Sequence, residues 1–164
     1  YARDKDAIVA TMALCEAAAY YKTQGKTLWD AMIEMYEQFG YYKDAIQSVT
    51  MKGIEGLQKI QEIMNSLRQN PPAEFAGHKV VAVRDYKADT ITDVITGAVK
   101  PTGLPNSNVL YYELTDDAWV CVRPSGTEPK VKFYYGVKGT SLADADEKSD
   151  IMGKAVLDMV DSMK

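Results

Sequence analysis

Eight consecutive residues, 123–130, carry the side chains that proteins use to hold a phosphate group. They read Arg-Pro-Ser-Gly-Thr-Glu-Pro-Lys and lie between two apolar runs, 118–122 and 131–137, which are typical of strands. A strand–loop–strand arrangement would hold these polar groups close together at one end of a sheet. The spacing therefore predicts a loop that binds a small anion.

Each polar residue type in this loop has a use in phosphate binding. Arg123 offers a planar fork that can donate two hydrogen bonds to phosphate oxygens. Ser125 and Thr127 add hydroxyl donors, and Gly126 lets backbone N–H groups approach an anion closely. The alternative is an ordinary hairpin turn built from common turn residues.

Two lysines follow the loop. Lys130 and Lys132 point the same way if the segment is a strand, so both could reach a ligand. Either could instead lie at a solvated strand edge. Glu128 has the same charge sign as phosphate, so we expect it to orient Arg123 or a lysine rather than bind the ligand.

The elements that position the loop follow from apolar spacing and turn residues. Helices are predicted over 4–22, 27–39 and 54–67, and a last one begins after Ser141, where Ser141 to Asp144 resembles a capping box. Four strands are predicted over 79–86, 108–114, 118–123 and 131–137. A brief extended piece is expected near 48–51, and 87–107 is a long connection with room for some local structure. The fold class is therefore α+β, with a four-stranded antiparallel sheet, helices on one face, and a two-helix segment in front.

Composition and charge exclude several kinds of partner. The chain is 46% hydrophobic and 26% charged with a net charge of −4, which argues against nucleic acid and against an anionic membrane surface. The single histidine, His78, has no ligand at metal spacing, so no metal site is predicted. Cys15 and Cys121 lie among apolar residues and are predicted to be buried thiols, which suits a reducing cytoplasm.

The loop and its flanking strands, 108–135, resemble the phosphate-binding loop in the last domain of the phosphohexomutases, the phosphoglucomutase/phosphomannomutase family. The resemblance implies a TATA-binding-protein-like α+β domain. It also implies that Arg123, Ser125, Gly126 and Thr127 bind the substrate phosphate. Lys132 matches the second basic residue of that family, with Lys130 as the competing candidate.

A second match lies at the start of the chain, in Arg3-Asp4-Lys5-Asp6. By itself this is a charged helix start, with Asp4 or Asp6 as the cap. In the phosphohexomutases a similar Arg-x-Lys-Asp string follows the sugar-recognition loop of the third domain, and its lysine contacts the sugar phosphate. The resemblance implies this role for Lys5, a third-domain tail over 1–44 and a phosphate-binding domain over 45–164.

The family implies an isomerase that interconverts hexose 1-phosphate and hexose 6-phosphate, with glucose phosphates as the first expectation. It uses a phosphoserine, Mg²⁺ held by aspartates, and a bisphosphate intermediate such as glucose 1,6-bisphosphate. The phosphoserine loop, the Asp-Gly-Asp-x-Asp metal motif and the Gly-Glu-x-Ser sugar loop do not occur in this sequence.

We therefore expect no catalytic residue in this chain, which begins without Met, and no turnover by the chain alone. Its expected partners are a phosphosugar and the N-terminal domains of the same parent enzyme. The sequence leaves one alternative of another class, a stand-alone α+β ligand-sensing or interaction module.

Overall fold

The structure, a computed structural model, describes residues 5–51 and 53–163. These residues form four helices and eight strands. They divide into two compact units, the first ending at Tyr41 and the second beginning at Tyr42. In the described part of the chain, no helix is both long and apolar enough to cross a membrane.

The first unit is a pair of helices, α1 (Ala7–Thr23) and α2 (Leu28–Phe39). Asp6 caps α1, since its carboxylate accepts a hydrogen bond from the Val9 N–H at 2.9 Å. Thr27 and Asp30 form the complete reciprocal capping box of α2. Both helices match the sequence prediction closely, although Arg3 and Asp4 lie outside the described residues.

This helix pair has no buried side chain among its described residues. The apolar side chains of α1 are spread over all sides of the helix rather than along one face. Ile8, for example, is 75% exposed. Cys15 is also exposed, so the prediction that it is a buried thiol was wrong. The physical reason is that two short helices cannot enclose a side chain without a third element, whatever its apolar neighbours.

The second unit contains the remaining ten elements. In chain order they are β1 (Tyr41–Thr50, whose first residue belongs to the first unit), α3 (Gly53–Gln69), β2 (Glu74–Phe75), β3 (His78–Asp85), β4 (Thr90–Asp93), β5 (Val99–Lys100), β6 (Leu110–Leu114), β7 (Trp119–Pro124), β8 (Lys130–Gly139) and α4 (Leu142–Ser162).

The α+β class is confirmed, but the sheet has eight strands rather than the four predicted. Its order is β1-β8-β7-β6-β3-β4-β5, with β2 paired to β3. The predicted brief piece near 48–51 is the end of the full strand β1, and the 87–107 connection contains β4 and β5. These edge strands were missed because they are short or polar and lack apolar alternation. The Asp93 carboxylate, which accepts from the Ile95 and Thr96 N–H groups, closes the β4–β5 turn.

The helices α3 and α4 cover one face of the sheet. The core side chains on β8 are Val131, Phe133, Tyr135 and Val137, every second residue, as the alternation predicted. They pack with buried residues of both helices, such as Met64. The other side chains of β8 must then lie on the opposite face of the sheet, away from α3 and α4.

Helix α4 begins at the predicted N-cap, Ser141, but only half of the predicted capping box is formed. The Ser141 hydroxyl accepts from the Asp144 N–H at 3.2 Å, which is one half of a capping box. The Asp144 carboxylate, however, accepts from the Thr140 N–H at 2.6 Å and from Lys148 Nζ at 2.9 Å. The Thr140 backbone bond, the Lys148 bond and the Thr140 hydroxyl lower the pKa of Asp144 to about 2.

Candidate functional site

The predicted anion loop joins β7 to β8 in an antiparallel hairpin. The last paired residues before it are Arg123 opposite Lys132 and Pro124 opposite Val131. The Ser125 N–H then donates to the Lys130 carbonyl at 2.8 Å and closes the neck of the loop. Residues 125–129 therefore project from two paired strands that hold them in place.

The loop encloses one side of an open pocket of about 400 Å³. Its lining is Arg123, Pro124, Ser125, Gly126, Thr127, Lys132 and Tyr134. Two of these side chains are cations and none is a carboxylate. In a chain with a net charge of −4, the pocket is thus a local concentration of positive charge.

The register places the two cations directly opposite each other on neighbouring strands. Like charges at such positions destabilise a sheet. In the described chain, neither the Arg123 guanidinium nor the Lys132 ammonium group has a hydrogen bond or an ion pair. A bound dianion would relieve this repulsion and satisfy the donors of both groups.

The hydroxyl of Ser125 organises the loop backbone. It accepts from the N–H groups of Thr127 at 3.4 Å and Glu128 at 3.3 Å. Because it accepts through its lone pairs, its own proton remains available to a ligand. The Gly126 N–H has no partner among the described residues and is exposed, so one backbone donor is also available at the pocket.

Neither the backbone nor the packing of the loop requires a glycine at position 126. Gly126 does not adopt a left-handed conformation. A Cβ built there would meet no atom within 4 Å. The space that the missing side chain leaves opens to the pocket, where a ligand can approach the backbone.

Gly126→Ala should therefore separate binding from stability. We expect the free energy of unfolding to stay within about 1 kcal/mol or to rise slightly, because alanine restricts the unfolded chain. We expect phosphate binding to weaken severalfold, because the methyl group occupies the approach to the Gly126 N–H. Urea titration and calorimetric phosphate titration measure the two effects. Equal losses of stability and binding would contradict this account.

Of the two lysines after the loop, Lys132 lines the pocket and Lys130 does not. The Lys130 ammonium lies 2.5 Å from the Glu128 carboxylate. This hydrogen bond, more than any other contact, lowers the pKa of Glu128. The pair neutralises the one acidic residue of the loop, in line with the expectation that Glu128 orients a lysine.

A backbone hydrogen bond ties the loop to the segment that precedes α3. The Met51 N–H donates to the Pro129 carbonyl at 2.9 Å, and Met51 is only 9% exposed. Gly56 keeps this contact in place, because a Cβ there would lie 2.0 Å from the Met51 carbonyl oxygen. The C-terminal end of the loop, at Pro129, is therefore held by the Met51 hydrogen bond as well as by the pairing of β8 with β7.

Sequence reasoning missed Tyr134 as a residue of this pocket. It follows Lys132 by two positions on β8, so alternation alone could have placed both on the same face. Lys5 belongs to the first unit, where it is exposed and immediately precedes the Asp6 cap of α1.

A sequence model of the phosphoglucomutase/phosphomannomutase C-terminal domain matches residues 63–154, more than half of the chain. The chain belongs to this family. The match covers the β7–β8 hairpin, the loop and most of α4. The family resemblance of the sequence is thereby confirmed.

Several named relatives are phosphoglucomutases of Staphylococcus aureus. That of strain bovine RF122 / ET3-1 is 37% identical over 152 residues, and that of strain MRSA252 is 36% identical. Each alignment covers 93% of this chain but 27% of the relative, so the chain spans about a quarter of the length of these phosphoglucomutases.

A solved structure shows the same fold. The open form of the exocytosis-sensitive phosphoprotein pp63/parafusin, a phosphoglucomutase from Paramecium, aligns with a TM-score of 0.57 at 15% identity. The alignment covers 99% of this chain and 27% of that one. At this identity the likeness concerns the fold alone.

Proposed function

We propose that this chain is the C-terminal, phosphate-gripping part of a phosphoglucomutase that interconverts glucose 1-phosphate and glucose 6-phosphate. In this proposal the β7–β8 loop holds the phosphate that is not reacting. The observation that carries it is the Arg123–Lys132 pair, two unpartnered cations opposite each other at a pocket without carboxylates.

The chemistry of the grip follows from the side chains. The Arg123 guanidinium donates two N–H groups to phosphate oxygens, and Lys132 adds a point charge. The hydroxyls of Ser125 and Thr127 and the Gly126 N–H donate to the remaining oxygens. Binding energy gained at this distant phosphate orients the reacting end of the sugar, which lowers the barrier without any contact to the reacting atoms.

The same grip suits both substrates of an isomerase. Every donor named here recognises phosphate oxygens, and none requires a particular carbon of the sugar to carry the phosphate. A hexose bisphosphate such as glucose 1,6-bisphosphate could therefore bind in either orientation. We infer that the sugar preference of the parent enzyme is set largely by residues outside this chain.

The reactive groups of such an enzyme would also lie outside this chain. The family uses Mg²⁺, but the described residues include no cluster of three or more His, Cys, Asp or Glu side chains that could hold a metal ion. The residues present therefore do not fit a Mg²⁺ site, and we assign no step to the ion here. We expect the chain alone to show no mutase turnover, and we expect the parent enzyme to act in the cytoplasm.

The division of the chain has a matching interpretation within this proposal. The two-helix unit, to about residue 44, would be the tail of the sugar-recognition domain, and the remainder would be the phosphate-binding domain. Lys5, just before α1, would then contact the sugar phosphate from the other domain. Its exposed position leaves it accessible for this role.

The proposal predicts where phosphate ligands bind. In ¹⁵N NMR titrations of the whole chain, glucose 6-phosphate and glucose 1-phosphate should shift the amide signals of residues 123–132. The affinity for both ligands should fall as salt is added, because salt screens the charges. Glucose at the same concentration is the control and should shift none of them. Shifts spread evenly over the surface, or none at the loop, would instead identify the loop as an ordinary hairpin turn.

A further inference from the structure

Beyond the phosphate itself, we propose that Tyr134 contacts the sugar of the bound hexose phosphate and makes the pocket prefer a phosphate ester to free phosphate. This inference rests on the proposed function, because it assigns a second part of the same ligand to the same pocket. The phosphate group would lie at Arg123 and Lys132, and the sugar would extend along β8 toward Tyr134.

The position of Tyr134 suits this role. It lies two residues beyond Lys132 on β8, opposite Cys121 of β7, and lines the pocket. Two residues of an antiparallel strand span about 6.8 Å, which is the scale of one sugar ring. Its neighbours Phe133 and Tyr135 are buried on the helix side, whereas Tyr134 is half-buried on the open side.

Two other tyrosines of the sheet have uses within the fold. The Tyr112 hydroxyl donates to the Leu67 carbonyl at 3.1 Å. Tyr111 stacks on Trp119 with ring centroids 5.6 Å apart. Among the described residues, Tyr134 has neither a hydrogen-bond partner for its hydroxyl nor an aromatic ring against it. The hydroxyl and the aromatic ring of Tyr134 are thus both available to a ligand.

A hexose has groups that can bind both the hydroxyl and the ring of Tyr134. The phenol hydroxyl can exchange hydrogen bonds with sugar hydroxyls, and the ring can cover C–H groups of the sugar. Inorganic phosphate offers neither surface, so it should bind through Arg123 and Lys132 without help from Tyr134. Tyr134 would therefore contribute to the affinity for the ester and not to that for the free ion.

The test compares two ligands on three proteins. Wild type, Tyr134→Ala and Tyr134→Phe are each titrated with glucose 6-phosphate and with inorganic phosphate. Tyr134→Ala should weaken glucose 6-phosphate binding roughly tenfold, as loss of an aromatic contact and a hydrogen bond would, and change phosphate binding less than about twofold. Tyr134→Phe, which keeps the ring, should lie between wild type and Tyr134→Ala for the ester.

Tyr111→Ala is the matched control, since Tyr111 lies two strands away on β6 and outside the pocket. It should leave the ratio of the two affinities unchanged. Equal weakening of both ligands by Tyr134→Ala, or no weakening of the ester, would overturn the inference while leaving the phosphate grip intact. A wild-type chain that binds neither ligand at the loop would overturn the proposed function as well.

Discussion

Arg123→Ala should weaken the binding of glucose 6-phosphate by about 1.5–3 kcal/mol, a factor of roughly 10 to 150. The guanidinium has no hydrogen bond or ion pair in the described chain, so its removal breaks no such contact of the fold and removes the charge-assisted bonds to the ligand. The effect should appear in calorimetric or NMR titrations of the whole chain. Arg84→Ala is the control, because Arg84 pairs with Glu113 on β6 and does not line the pocket.

Two further variants separate the charge of Arg123 from its shape. Arg123→Lys keeps the charge but loses the planar fork, so it should recover only part of the affinity. The double variant Arg123→Ala/Lys132→Ala should lose less than the sum of the two single losses if both cations bind one phosphate group. Strict additivity, or wild-type affinity in Arg123→Ala, would show that the ligand is not held between them.

Phe133→Ala should cost about 3–5 kcal/mol of unfolding free energy, a large part of what a domain of this size has. Phe133 is 0% exposed and lies opposite Val122, which is also fully buried. Alanine would leave a cavity between the sheet and its helices. Urea unfolding, followed by circular dichroism, gives the change directly.

The neighbouring residue provides the contrast. Lys132→Ala, one position earlier on the same strand, should change stability by no more than about 0.5 kcal/mol, and could raise it by removing the repulsion with Arg123. Phe133→Leu should cost less than Phe133→Ala, because it leaves a smaller cavity. A loss below about 1 kcal/mol for Phe133→Ala would mean that β8 presents its other face to the core.

Much of the site was predictable because its residues are contiguous in sequence. Arg123, Ser125, Gly126 and Thr127 lie in one loop, and a hairpin brings its two flanking strands together. The pairing of Arg123 with Lys132 follows from the hairpin register, which in turn depends on the Ser125–Lys130 bond. No sequence pattern predicts that Lys130 turns to Glu128, since alternation treats both lysines alike.

The fold was predictable where apolar spacing was regular. Strand β8 buries alternate residues over most of its length, and α2 begins at a complete capping box. The sequence pattern did not predict the short strands β4 and β5, because their pairing depends on a turn held by Asp93 rather than on their own composition. Cys15 shows the converse, since apolar neighbours in sequence do not bury a residue of a helix pair that buries none of its described side chains.

Strand β1 covers the edge of the strand that carries part of the candidate site. It is the end strand of the sheet and pairs with β8, the strand that carries Lys132 and Tyr134. The family match begins at residue 63, well after β1 ends. A chain trimmed to that boundary would leave β8 as a ten-residue edge with unpaired backbone groups, a template for self-association and aggregation. The start of the family match and the start of a chain that keeps β8 paired on both sides are thus different places in this sequence.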